Sequence, residues 1–351
     1  MCMNPQFVMF NAKSEKYQFQ GRSQYCGDFK DKPALIVPCG KCPECRAKWR
    51  TQLAQRVRWE LEEYKNNCCF ITLTVNNENL DKVFPNGSLN HKYFQKFMKR
   101  LRRHLEYRGF KGRIKYLMCG EYGHDNGRPH YHAIIMGWRP SDSDLRLPRR
   151  SQKGYMTYES ELIQRLWSDP DATDREIEKF NINNPQIVRK NGKDYDYMPL
   201  GLVNVSLRVD ENTAPYMVKY MVKFAEVKSD EFYVNGQQVR KPYLVYPKKV
   251  LGIDYFIDHI EQIMSNGFVM DSRGKYVGIP RAFVKFLEKS EDLEMQNYFE
   301  LYKIRCEEFI QERRCCLELL GYDTFAKQYQ YECEQGKVRR EMYESMKNNN
   351  R

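Results

Sequence analysis

The stretch from Lys115 to Trp138, KYLMCGEYGHDNGRPHYHAIIMGW, admits few folds. Two apolar runs, Tyr116-Leu117-Met118 and Ala133-Ile134-Ile135-Met136, flank Asp125-Asn126-Gly127, a strong turn signal, and predict two strands joined as a hairpin. Side chains alternate faces along a strand, so His130 and His132 point one way and Tyr131 the other. A turn centred on Asp125-Asn126 sets Glu121 opposite His130; one centred on Asn126-Gly127 sets it opposite His132. Either register puts a carboxylate and two imidazoles on one face, with directly opposed Cβ atoms about 5 Å apart. Two neutral imidazoles and a carboxylate, with positions left open, suit a divalent cation that must also hold a substrate oxygen. The plainer reading is a half-buried hairpin whose histidines only bond their neighbours. The chain has just six histidines, and two of them on one strand face with a hairpin glutamate favour the metal.

The formal net charge of +12, with 25 tyrosines and 19 phenylalanines, suits a polyanion that also stacks on rings, which describes nucleic acid. Charge alone fits an ordinary basic protein equally well. No apolar run reaches the roughly 20 residues of a membrane span, and Met1-Cys2-Met3-Asn4-Pro5 opens no signal-peptide core, so a cytoplasmic protein without membrane association is expected. In that compartment the twelve cysteines are expected as thiols and metal ligands rather than disulfides. Three of them form a knuckle, Cys39-Gly40-Lys41-Cys42-Pro43-Glu44-Cys45, whose Gly and Pro permit tight turns around an ion. Structural zinc takes four tetrahedral ligands, so one must come from elsewhere, and Cys2 and Cys26 are the candidates. A redox C-x-x-C is the rival; the third cysteine and the lack of a thioredoxin-like βαβ pattern argue against it.

Along the chain, Arg46 to Asn67 reads as a helix with Trp49, Leu53, Val57 and Leu61 on one stripe and a cationic remainder. Cys68 to Val75 reads as a strand. Asn90 can cap a second basic helix, with Phe94, Phe97, Leu101 and Leu105 inward. Residues 139–200 are polar and punctuated by proline, and read as an insertion with one helix candidate, Tyr158 to Trp167. Gly201 to Val209 alternates as a further strand. In the next predicted helix Tyr216, Lys219, Tyr220 and Lys223 share one face, with Met217, Val218, Met221 and Val222 on the other. A lone Tyr-x-x-x-Tyr is weak by itself, because tyrosines often pack sideways and lysines are often merely solvated. From Ser290 the chain is helical and charge-mixed. The expected class is α+β, an antiparallel sheet with helices packed on it. The expected divisions are a Cys-rich segment with its basic helix (1–66), a core (67–228), a small mixed extension (229–289) and a helical tail (290–351). No G-x-x-x-x-G-K-[ST] phosphate loop occurs, so no ATPase is recognised.

Phe70-Ile71-Thr72-Leu73-Thr74, His130-Tyr131-His132 and Tyr216-x-x-x-Tyr220 together resemble the three motifs of the HUH endonucleases of rolling-circle replication. Val37 to Arg46 around the knuckle, Glu121-Tyr122-Gly123 and Lys241-Pro242-Tyr243-Leu244 resemble the replication initiators of gokushovirus-type Microviridae, small single-stranded DNA phages. The resemblance spans about residues 1–285; Tyr131 departs from the plain hydrophobe that the family's name implies. It implies an antiparallel sheet with helices on one side. It implies magnesium or manganese on His130 and His132, with Glu121 as the acidic third ligand, and it raises Cys2 over Cys26 beside Cys39, Cys42 and Cys45 at the zinc. Tyr216 and Tyr220 map onto paired nucleophiles, with Lys219 placed to favour the phenolate, and a 5′-phosphotyrosine link with a free 3′-OH is the implied product. Thr72, Thr74, Arg128 and Lys223 are the expected DNA contacts. The implied partners are single-stranded DNA and the replicative-form origin, with a host helicase and polymerase, in the cytoplasm of the bacterial host cell. Two other classes compete. One is a non-catalytic single-stranded nucleic-acid-binding protein with a zinc knuckle, which never links to DNA. The other is a metal hydrolase activating water, for which His91, His104, His124 and His259 are poorly placed as extra ligands.

Overall fold

The computed structural model describes residues 2–19, 34–123, 126–151, 154–186, 192–209, 213, 216–217, 232–270 and 274–349. The chain divides into two compact units, residues 53–258 and residues 1–52 with 259–351. No helix among the described residues is long and apolar enough to cross a membrane.

Residues 53–258 are built on a seven-stranded sheet, antiparallel throughout. Its spatial order is Tyr243–Val245, Lys115–Tyr122, Pro129–Met136, Cys68–Leu73, Val203–Ser206, Met156–Ser160 and Leu145–Arg150. The predicted hairpin forms the centre, and Glu121 faces His130 while Cys119 faces His132, the register of the Asp125-Asn126 turn. Alternation then sorts the side chains into two layers. Ile71, Leu73, Tyr131, Ala133 and Val205 lie in a core with Phe94, Phe97, Met98, Leu101 and Leu105. Those last five come from the His91–Tyr107 helix, whose cap Asn90 accepts a hydrogen bond from the Lys92 amide at 3.1 Å. On the other face Leu117, Cys119, Ile134 and Met136 meet Leu53 and Val57 of the Pro43–Tyr64 helix. Helices therefore lie on both faces, not on one side as the resemblance implies. The apolar Leu53/Val57 stripe is what covers the second face.

The stretch read as an insertion does more than fill a loop. Leu145–Arg150 and Met156–Ser160 extend the sheet, and the helices Glu161–Leu166 and Asp174–Asn183 follow. Leu145–Arg150 reads LRLPRR because it is an exposed edge, with Pro148 inside the register shift between Arg146 and Arg149. Edge strands and bulges are where a strand tolerates proline, and they need no apolar alternation.

Gly137 ends the second hairpin strand at φ +90°, where an added Cβ would lie 2.2 Å from the Arg113 carbonyl oxygen. Both the backbone angle and the contact exclude a side chain. Gly137→Ala is expected to lower unfolding free energy by about 2–4 kcal/mol, read from urea denaturation.

In the other unit Lys16–Phe19, Gln6–Asn11 and Leu35–Val37 make a three-stranded sheet. The tail folds into the helices Leu293–Leu319 and Phe325–Asn349. The second of these lies on the N-terminal segment. The Phe7 ring meets Phe325 and Tyr329 edge-on, at 5.9 and 5.2 Å, and the Tyr329 hydroxyl donates to the Pro5 carbonyl at 3.2 Å.

Candidate functional site

Glu121, His130 and His132 converge on the face of the hairpin opposite the Phe94/Phe97 core, with their donor atoms all within 4.8 Å of one another. Glu121 Oε1 lies 3.1 Å from His130 Nε2 and 3.0 Å from His132 Nε2, and the two Nε2 atoms are 3.2 Å apart. The far side of each ring explains the orientation. His130 Nδ1 is 3.1 Å from the Arg128 carbonyl, which can only accept, so Nδ1 carries the proton and Nε2 presents its lone pair to the cluster. His132 Nδ1 is 2.8 Å from the Thr72 hydroxyl, and the Phe70 ring stacks on it at 5.3 Å. Burial pushes the His132 imidazole down, favouring its neutral form. Burial alone would raise the Glu121 carboxyl, but its bonds to the two imidazoles outweigh this and hold it below the usual range. All three groups thus stand in their metal-binding forms at neutral pH. The second carboxylate oxygen, Glu121 Oε2, is buried with no hydrogen-bond partner. An orphaned carboxylate oxygen beside two inward lone pairs is poorly satisfied by protein alone and fits a small divalent cation.

Tyr216 stands over this cluster. Its ring lies edge-on to His132 at 5.8 Å and to Phe70 at 6.4 Å. A cleft of about 460 Å³ opens between them, lined also by Thr72, Tyr155, Ser206 and Arg208. The Arg208 guanidinium sits 5.4 Å from the centre of the Tyr155 ring. Ser206 and Arg208 were legible in principle: Ser206 pairs with Phe70, and alternation along the Val203–Ser206 strand sets it on the cluster's face. Tyr155 had no such signal, because its stretch did not read as a strand. Lys219, Tyr220 and Lys223 lie outside the described residues. Thr74 and Arg128, expected at DNA, spend polar groups within the protein. The Thr74 hydroxyl donates to the Leu202 carbonyl at 2.9 Å and accepts from the Leu202 amide at 3.0 Å. Arg128 donates to the Val75 carbonyl at 2.9 Å and to Asn77 Oδ1 at 2.7 Å.

In the other unit the sulfurs of Cys2, Cys39, Cys42 and Cys45 also gather within 4.8 Å of one another. Backbone amides point at them: those of Asn4 and Cys39 donate to Cys2 Sγ, and that of Cys42 to Cys39 Sγ, each at 3.3 Å. For Cys42 burial opposes ionisation, yet the amides of Cys45 and Met3 and the neighbouring thiols bring its pKa down to about 7. A set of four thiols with amides aimed at sulfur can hold one metal ion. Cys26, the rival fourth ligand, lies outside the described residues. The Cys2 end is held from the tail, because Arg339 donates to the Cys2 carbonyl and Arg340 to that of Met3, each at 3.2 Å.

Residues 68–225 match the family model described as replication-associated protein ORF2. The chain is 30% identical over 326 residues to the replication-associated protein ORF2 of Spiroplasma virus 4, covering 89% of this chain and 85% of that protein. It is 29% identical over 268 residues to the replication-associated protein ORF4 of Chlamydia phage 1, covering 75% of this chain and 57% of that relative's length. Over 311 residues it is 25% identical to the replication-associated protein VP4 of Bdellovibrio phage phiMH2K, covering 88% and 83%. No solved structure matches. The matched region contains the hairpin cluster and Tyr216, and on these relationships the chain belongs to the replication-associated proteins of Microviridae-like phages.

Proposed function

We propose that this chain initiates rolling-circle replication as an HUH-type, metal-dependent nickase that joins itself to DNA through tyrosine. The observation that carries the reading is Tyr216 at 5.8 Å from His132, on the rim of the cleft beside the Glu121/His130/His132 cluster. Those three residues are the holders of a divalent cation, which would supply Lewis acidity to the non-bridging oxygens of one phosphate. The cleft admits a single strand, and its rings and the Arg208 guanidinium suit bases and phosphates. Tyr216 Oη forms a bond to phosphorus, the bond from phosphorus to the 3′-oxygen breaks, and the phenol's proton is released to solvent as that oxygen leaves and takes up a proton. A phenol ionises near pH 10 unless a cation helps, and Lys219 is assigned that part. Tyr220 is assigned the second cut, after which the free 3′-OH attacks the first link and closes a circle. The 3′-OH primes a host polymerase, and unwinding falls to a host helicase.

The test is a denaturing gel. Circular single-stranded DNA of the phage type is incubated with the protein and Mn²⁺ or Mg²⁺, and an adduct is sought that survives boiling in detergent. Tyr216→Phe should reduce the adduct and His130→Ala remove it. Tight, salt-sensitive binding with no adduct on any origin candidate would instead establish the binding protein. Undiminished cleavage by Tyr216→Phe/Tyr220→Phe would establish a hydrolase.

The four-cysteine cluster is assigned structural zinc. Groups that orient a ligand from behind typically contribute ten- to a hundredfold in metal affinity. Arg339→Ala/Arg340→Ala frees the Cys2 and Met3 carbonyls and is expected to speed zinc loss to a chromogenic chelator by about tenfold.

A further inference from the structure

The His91–Tyr107 helix buries one stripe against the sheet and turns a dense cationic stripe away from it. Lys92, Lys96, Lys99, Arg102 and Arg103 are exposed on it, and Glu106 is its one acidic residue. Arg108 and Lys111 continue the charge just beyond its end, also exposed. None of these seven cations makes a salt bridge with a described carboxylate. The sequence cannot separate them from the helix's sixth lysine or arginine, but the structure does. Arg100 is half-buried and donates to the Ser168 carbonyl at 2.9 Å, a structural use. Lys99, Arg102 and Arg103 instead line an open groove with Gln95 and Tyr116, and Arg102 is steadied over the Tyr116 ring at 5.6 Å.

The placement matters more than the charge. Phe94 and Phe97 anchor this helix on the sheet face that carries Tyr131 and Ile71. Glu121, His130 and His132 project from the opposite face, since they alternate with Tyr131 and Gly120 along the paired strands. A helix with its side chains is about 10–12 Å thick, so the sheet and the whole helix separate these cations from the Tyr216 cleft. One strand threaded through the cleft does not reach them without rounding the sheet's edge. Along the helix Lys92, Lys96, Lys99 and Arg103 recur every 4.5–6 Å, at about 1.5 Å of rise per residue. That makes a line of charge suited to a phosphate backbone and to no particular base.

We propose that the outer face of the His91–Tyr107 helix is a second DNA-binding surface, which grips duplex DNA through its phosphates while the opposite face handles the single strand to be cut. The duplex is the favoured occupant because it carries one charge per about 1.7 Å of axis, twice the density of a single strand. A rolling-circle initiator must stay on double-stranded DNA as it cuts one strand. In that respect the inference rests on the proposed function, but binding can be measured without cleavage.

The experiment is a salt titration of binding to a fluorescent 30-base-pair duplex of mixed sequence, followed by anisotropy, with wild type and Lys96→Ala/Lys99→Ala/Arg103→Ala. Alanine is a strong helix former, so the exposed changes should keep the fold, which circular dichroism checks. Each phosphate contact contributes about 0.9 to the slope of log affinity against log salt, so the variant's slope should fall by about 2.7, with duplex affinity down at least tenfold at 0.1 M salt. Adduct formation on a 20-nucleotide single strand spanning the mapped nick should stay within about twofold of wild type. Unchanged duplex affinity and slope would overturn the proposal, leaving a merely solvated face. So would an equal loss of adduct on the short strand, which would put these residues on the path of the cut strand. If wild type forms no adduct at all, the nickase reading fails, while the duplex titration still decides this surface.

Discussion

His132→Ala is expected to reduce metal-dependent covalent joining by at least about a thousandfold while leaving the chain folded. His132 is where the separate parts of the cluster meet. Its Nε2 is 3.0 Å from Glu121 Oε1, its Nδ1 is 2.8 Å from the Thr72 hydroxyl, and its ring carries Phe70 on one side and Tyr216 on its edge. Alanine removes a ligand, releases Thr72 and takes away the ring against which Tyr216 rests. Charge stabilisation by a bound metal supplies several kcal/mol to a phosphoryl transfer, and a thousandfold corresponds to about 4 kcal/mol. Thr72→Val keeps the ligand and removes only its orienting partner, so it should cost about ten- to a hundredfold in metal affinity. The two variants are told apart by titrating Mn²⁺ into the protein. The valine variant should recover adduct at high metal and the alanine variant should not. Full adduct yield from His132→Ala would remove the hairpin cluster from the reaction.

The hairpin was legible because a period of two, a strong turn signal and two histidines all spoke for the same face. Its register was not, since both turn centres fit Asp125-Asn126-Gly127. The structure settles it with Glu121 opposite His130, held beyond the last pair by the bond from the Gly123 amide to the Arg128 carbonyl at 2.8 Å. The buried faces of the helices were equally plain, as Phe94, Phe97, Leu101 and Leu105 show. What stayed hidden is what long-range contact decides. An exposed edge strand such as Leu145–Arg150 has no core to enforce alternation. Arg128 looked like a phosphate ligand beside the histidines, yet its guanidinium closes onto Val75 and Asn77 of a strand over fifty residues earlier. The tail read only as helix, and nothing in its composition announced that Arg339 and Arg340 would hold the segment that carries Cys2.

The same blindness applies to charge, and Lys115→Met tests it. Lys115 counts toward the basic total, yet it is 7% exposed and forms an ion pair with Glu60, which is 0% exposed. The other Glu60 oxygen accepts from the Gly252 amide at 2.7 Å. Removing the ammonium leaves a buried carboxylate with one neutral donor, and breaking a buried pair from one side costs about 3–5 kcal/mol. For a unit of this size that lowers Tm by roughly 6–20 °C. Burial alone would pull the Lys115 ammonium down, but its bond to Glu60 outweighs this and raises it. A raised folded pKa contributes stability that is complete below the ordinary lysine value and is lost only as pH rises through the folded one. The ammonium's share is therefore flat across neutral pH, and the variant's deficit should be as large at pH 6 as at pH 8. Lys115→Met/Glu60→Leu removes both charges and should regain most of the loss, short of what the orphaned Gly252 amide costs. Lys115 opens the strand that carries Glu121 three pleats on, on the same face. Loosening that end should lower the temperature at which the metal cluster fails along with Tm, and the double variant should restore both. A single variant as stable as wild type would mean that water reaches Glu60 and that the pair is not a buried one.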